Sequence, residues 1–146
     1  MALPTGSGTE TLHSHMFQDA DANQPLIYGV QHHVYTVLSV IGYCNALNAV
    51  TDTCFLILHG HDAHAGVSQA NMFLAKFNIQ VGQTFVWNDK FCFNGVEPTG
   101  TNTLSASEQI AIAAQNGSAV QELQFGVDST ADDYDVFISY LDQDWT

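Results

Sequence analysis

His59-Gly60-His61-Asp62-Ala63-His64 sets three imidazoles and a carboxylate within six residues. Alternate residues of an extended chain share a face, so His59 and His61 point the same way, with His64 or Asp62 closing the set from a following turn. Imidazole nitrogens grouped in this way suit zinc, copper, iron or nickel. His13-x-His15 repeats the spacing near the N-terminus, whereas His32 and His33 are adjacent and on a strand face opposite ways. These four read as polar surface or interface residues. With seven His beside two Lys, the negative charge shrinks as pH falls through the imidazole range near about 6.5, so association is expected to depend on pH.

The His59 to His64 spacing is similar to the His-x-His ligand pair of cupin barrels. The cupin pattern next requires a Glu a few residues on and a distant third His. Neither Val67-Ser68-Gln69 nor the sequence near Trp145 supplies them. A His-rich loop is the plainer reading, so no metal is expected at His59, His61 and His64. A cupin-like metal-dependent enzyme or a sugar-binding jelly roll is the alternative.

Other chemistries find less support. There is no Gly-x-Ser-x-Gly elbow, no Gly-rich phosphate loop and no recognisable Cys/His arrangement, so no catalytic residue and no cofactor is expected. Asp128, Asp132, Asp133, Asp135, Asp142 and Asp144 make the C-terminal region acidic. Paired carboxylates can act as general acid and base, and Asp-rich turns can bind calcium, but Asp132-Asp133 lacks the spacing of an EF-hand loop. A solvated turn and a polar strand end are the expectation. Cys44, Cys54 and Cys92 form no framework and read as reduced, buried thiols, with a cross-strand Cys44–Cys54 link as the sharper alternative.

The chain that must position these groups has 146 residues, is 46% hydrophobic and only 12% charged. It can bury a core, and its surface must be largely Ser, Thr, Asn, Gln and Gly. Fifteen Asp and Glu stand against Lys76 and Lys90, giving a formal net charge of -13. Nucleic acid and anionic membrane are therefore excluded as expected partners, because each requires a Lys/Arg footprint to displace counterions. No stretch approaches the ~20 apolar residues that span a bilayer, and no secretory signal is expected, so the chain reads as soluble.

Strand signals dominate. From His33 to Cys44 apolar and polar residues alternate, Val34, Thr36, Leu38 and Val40 on one face and Tyr35, Val37, Ser39 and Ile41 on the other. Thr53 to His59 is nearly all apolar, predicting a central strand antiparallel to the first across a long loop. Met72 to Ile79, Thr84 to Trp87, Phe91 to Phe93, Leu123 to Val127 and Tyr134 to Leu141 read as further strands, with Val81-Gly82-Gln83 as a turn and Asn94 to Thr103 as a loop. Asn116-Gly117 is a hairpin dipeptide. Ser105-Ala106-Ser107-Glu108 is a capping box that favours a helix over residues 105–115. Ile110, Ile112 and Ala114 share a strand face, and strand is the reading preferred. The expected fold is all-β: an antiparallel β-sandwich or jelly roll of about eight strands over residues 25–146, with residues 1–24 as an extended N-terminal arm.

Three runs carry a resemblance: Met72 to Trp87 with its Val81-Gly82-Gln83-Thr84 turn, Leu104 to Ala114, and Asp133 to Trp145 with Asp135-Val136-Phe137-Ile138-Ser139-Tyr140. Leu3 to Glu10 and Val34 to Val40 add to it. Together they look like small β-sandwich virion structural proteins of tailed bacteriophages. The resemblance implies a non-enzymatic protein, made in the host cytoplasm and carried on the virion. Its expected role is a capsid decoration or cement protein on the outside of the shell, with a tail or neck component as the alternative. The implied partners are the major capsid protein or other virion proteins, and the chain itself as a homo-oligomer. Leu3, Leu12, Phe17 and Trp145, apolar residues near the chain ends, are the expected interface anchors.

Overall fold

Alternating β-branched and aromatic residues fit a pleated surface with one face buried, and this pattern becomes strand through most of the described residues. The computed structural model describes residues 9–21, 23–62, 67–97, 106 and 119–144. Among these residues it holds eleven strands: β1 (Thr9–Ala20), β2 (Gln24–Tyr28), β3 (His33–Ala46), β4 (Asp52–Asp62), β5 (Val67–Ile79), β6 (Thr84–Trp87), β7 (Phe91–Asn94), β8 (Val96–Glu97), β9 (Ala119–Val120), β10 (Glu122–Val127) and β11 (Asp133–Asp144). The first sheet runs β1-β11-β3-β6, with β7 also paired to β3, and the second runs β2-β10-β4-β5. All these pairings are antiparallel, and the two sheets form a sandwich. The short pair β8–β9 stands apart.

The two inner faces meet in one core of Leu26, Tyr35, Val37, Val40, Leu56, Leu123, Phe125, Tyr134, Val136 and Ile138, among others. Fully burying each large apolar side chain contributes about 1.5–3 kcal/mol. An aromatic ladder crosses this core: Phe77 stacks on Phe85 at 4.4 Å, Phe85 on Phe125 at 5.8 Å, and Phe125 meets Tyr134 edge-on at 5.2 Å. Phe85 lies over Gly42, its direct partner in the ladder, and a Cβ there would come within 2.0 Å of the ring. The turn between β5 and β6 closes with Gln83 N donating to Gln80 O at 3.1 Å. Gly82, with φ 85°, supplies the left-handed conformation it needs.

Three expectations change. β3 and β4 do not pair; they belong to opposite sheets, and the chain between them crosses the sandwich. A long, turn-rich connection allows either arrangement, and β11 and β10 win the two positions because each matches the buried face of its neighbour. The alternation in β3 is also interrupted. Ser139 pairs with Ser39 but Tyr140 with Val37, so Leu38 is an extra residue that reverses the faces. Tyr35, Val37, Val40 and Cys44 all point inward as a result. Finally, Cys92, expected to be buried like the other two, is exposed, while Cys44 and Cys54 are free and buried as expected, in opposite sheets rather than linked across neighbouring strands. Burial pushes the Cys54 thiol up to about 12 and that of Cys44 upward too, which leaves both unreactive.

The segment expected to be an arm runs as β1 over Thr9–Ala20, at the edge of the first sheet and in register with β11 from Thr9↔Asp144 to Ala20↔Tyr134. Backbone hydrogen bonds order a segment whose side chains are mostly polar, and Phe17 and Ala20 add contact with the core. Residues 1–8 lie outside the described residues. So do residues 107–118, with the strand-or-helix question and the Asn116-Gly117 hairpin, and the loop beyond Glu97.

Candidate functional site

β4 carries His59 and His61 in the middle of the second sheet. The cross-strand register puts Asn71 of β5 opposite His59, and the His59 Nδ1 lies 2.6 Å from the Asn71 Oδ1. His61 falls where the β4–β5 register shifts, between Gly60 and Asp62, and helps line a cleft of about 360 Å³ with Leu58, Asp62, Asn71, Met72 and Gln121. His64 lies outside the described residues. Among those described, His59 and His61 do not join a third imidazole, thiol or carboxylate at ligand spacing.

Asp19, Asp133 and Asp135 do meet that geometric condition, their oxygens lying within 4.8 Å of one another. The cluster forms because β1 and β11 are neighbours and the register slips between Phe17 and Ala20, which turns Asp19 towards β11 with φ 57°. Asp19 N reaches Asp135 Oδ1 at 3.4 Å. Burial, then the neighbouring Asp19 carboxylate, raises the Asp133 pKa from its ordinary value, opposed in part by a hydrogen bond with Asn45. Three oxygen donors of this kind suit a hard cation such as calcium.

At the other end of β1, imidazoles and carboxylates from three strands converge. The His33 Nδ1 is 2.7 Å from Asp142 Oδ1, the His33 Nε2 is 3.6 Å from Asp144 Oδ1, and the His13 Nε2 is 3.8 Å from Asp142 Oδ2. His13 stacks on Tyr140 at 5.2 Å and on His15 at 5.8 Å. Tyr35 completes the group, its hydroxyl donating to Tyr28 O at 3.3 Å and accepting from Val30 N at 3.1 Å. Burial first, and Asp142 second, push Tyr35 up to about 12 and Tyr140 upward, so both stay neutral hydroxyls. The cluster clasps β1, β11 and β3 together. The sequence showed these His as isolated pairs, because only the pairing of β1 and β3 with β11 brings Asp142 between them.

The outer face of the first sheet carries a different feature. In register across four strands lie Met16, Phe137, Ile41 and Val86, and a second row holds Leu12, Leu141, Thr36 and Cys92. Ser14, Ser139 and Ser39 lie between them, with Ser14 Oγ 3.3 Å from Ser139 Oγ. Leu12 is 63% exposed and Met16 64%, and neither Phe137 nor Ile41 packs against the core. Among the described residues β1 ends the sheet, with one side of its backbone unpaired by them. Leu12, expected as an interface anchor, stands in this face. Phe17 points inward and packs against the core, while Leu3 and Trp145 lie outside the described residues. Met16, Phe137 and Ile41 were missed by sequence reasoning. The signal was present in the period-two spacing of Leu12, Ser14 and Met16, but which strand faced them was not.

No family model matches the chain, and no curated protein matches it. Solved structures do. A Bacillus endospore appendage protein, from a family of disulfide-linked pili, is 9% identical over 100% of this chain and 97% of that one, with a TM-score of 0.45. The CBM22-1–GH10 modules of Clostridium thermocellum xylanase 10B, solved with xylohexaose, are 14% identical over 97% of this chain and 26% of that one, at 0.42. The Yersinia pseudotuberculosis-derived mitogen is 8% identical over 90% and 85%, at 0.28. Likenesses this distant carry no argument about what the chain does.

Proposed function

We propose that the chain is a non-catalytic structural protein of a bacteriophage virion, a decoration or cement protein bound to the outside of the capsid. The observation that carries this reading is the outer face of the first sheet, where in-register apolar rows run out to a long edge strand with Leu12 and Met16 exposed. Such a surface suits broad protein contact, and contiguous exposed apolar area is characteristic of interaction sites. The resemblance of Met72 to Trp87 and Asp133 to Trp145 to small virion sandwich proteins supports the same role. With a net charge of -13 and two Lys, the chain meets a shell through apolar and polar contacts, and cations in any ion pair come from the partner. A cement protein stabilises a shell by binding the assembled state in preference to its parts.

The test is co-sedimentation with undecorated particles. Saturable binding to stripped shells, weakened by Met16→Asp, is the expected result. If the chain sediments with no particle, the decoration reading falls.

A further inference from the structure

The edge of β1 has a feature that its role in a virion does not by itself require: it is complementary to itself. From Thr11 to Gln18 the strand carries no Asp, Glu or Lys, in a chain whose formal charge is -13. An uncharged edge is the place where two such acidic bodies can approach. Edge strands are ordinarily protected by Lys, Pro, brevity or a covering element. β1 has twelve residues and contains neither Lys nor Pro. Its bulge lies at one end, between Phe17 and Ala20, and leaves the stretch from Thr9 to Phe17 in unbroken register with β11.

We infer that β1 pairs antiparallel with β1 of a second copy of this chain, about a two-fold axis at Ser14, joining the two first sheets into one. This rests on the proposed structural role and names the partner at that edge. Keeping the outer faces on the same side requires outer residues of β1 to oppose outer residues of its mate. Among such registers, the one centred on Ser14 puts Leu12 opposite Met16 and Met16 opposite Leu12. These are the two large apolar side chains that β1 exposes. The same register pairs Thr11 with Phe17 at the ends of the regular stretch the two copies share, which holds no carboxylate, so no two carboxylates face each other within it. Moving the axis by one residue towards either end breaks the match, because Leu12 then faces Gln18 or Ser14. Cross-strand pairs are where sheet pairing gains specificity, at roughly 0.2–1 kcal/mol each. In the joined sheet the row of Val86, Ile41, Phe137 and Met16 continues into Leu12 and Leu141 of the second copy, extending one apolar band across both. Two-fold pairing of one patch with itself also closes, and no further edge is consumed.

The experiment uses the full chain with Cys92→Ser, which removes the exposed thiol and leaves Cys44 and Cys54 buried. Directly opposed residues have Cα atoms about 4.5–5.5 Å apart, within disulfide range. Ser14→Cys is therefore expected to give a covalent dimer on mild oxidation with diamide. Glu10→Cys, whose copies would stand about 27 Å apart, is expected to give on the order of tenfold less. Sedimentation is expected to show a dimer that tightens between about 0.05 and 0.5 M salt, because screening relieves repulsion between like-charged bodies. Leu12→Lys and Met16→Lys are each expected to weaken it on the order of tenfold. Equal cross-linking of the Ser14→Cys and Glu10→Cys variants overturns the inference. So does a wild-type monomer at roughly 100 µM in the higher salt, or growth of open filaments in place of a closed dimer. Particle binding by a monomer would leave the proposed function standing while this pairing fails. A dimer that binds no particle would do the reverse.

Discussion

The Asp132 carboxylate accepts the backbone N–H of Asn48 at 2.9 Å from a position with no solvent exposure. Asn48 lies on the passage from β3 to β4, so this bond fixes the place where the chain leaves one sheet for the other. Asp132 is itself set by a turn in which its N–H donates to Ser129 O at 3.0 Å, just before β11 begins.

Asp132→Ala is expected to destabilise the fold by about 1–3 kcal/mol, the loss of a part-buried hydrogen bond to a carboxylate together with the packing of a fully buried side chain. Asp132→Asn keeps an acceptor oxygen and is expected to cost less. Urea denaturation of the three proteins checks the order, and an alanine variant as stable as wild type would show that the bond contributes nothing.

Gly42→Ala tests the close approach of Phe85. The added methyl must displace the ring, and with it the stack on Phe77 and Phe125. Overpacking of this kind costs about 1–3 kcal/mol. The double variant Gly42→Ala with Phe85→Leu should lose less than the sum of the two single changes, and strict additivity in a thermodynamic cycle would reject the contact.

The raised pKa of Asp133 makes a pH-dependent prediction. Its folded-state pKa exceeds the unfolded one, so ionisation is penalised in the fold, and the penalty is full above the folded pKa. As pH falls through that value towards the ordinary Asp range near about 3.9, the folded state takes up its proton first and the penalty disappears. Asp133→Asn should therefore be more stable than wild type at neutral pH, with the gap closing as pH drops. Thermal melts across this range provide the check, and a gap that widens in acid would contradict the assignment.

Metal content separates the proposed role from the metal-enzyme alternative. The chain purified without a His tag is expected to hold no stoichiometric zinc, iron or manganese. Elemental analysis decides it. Near-stoichiometric metal that is lost in His61→Ala would overturn the expectation and favour the cupin-like reading.

Much of this architecture was determined by local sequence. Alternation from His33 to Cys44, the apolar run from Thr53 to His59 and the Val81-Gly82-Gln83 turn specify strands and a break within a few residues of their true bounds, because side-chain period and turn chemistry act over short distances. The expectation of no nucleic-acid footprint likewise rests on composition alone, since two Lys and no Arg carry that argument wherever they lie. What it did not determine was partnership. Whether β3 pairs with β4 or β11 depends on which neighbour continues its inward apolar face along the sheet. The extra residue at Leu38, which decides that face, becomes visible only against Tyr140 and Ser139. The same holds for the candidate surfaces: His13, His33 and Asp142 lie far apart in the chain, as do Met16, Phe137 and Ile41. Long-range antiparallel register brings them together, and register is set by the summed fit of two whole faces, which no short stretch of sequence contains.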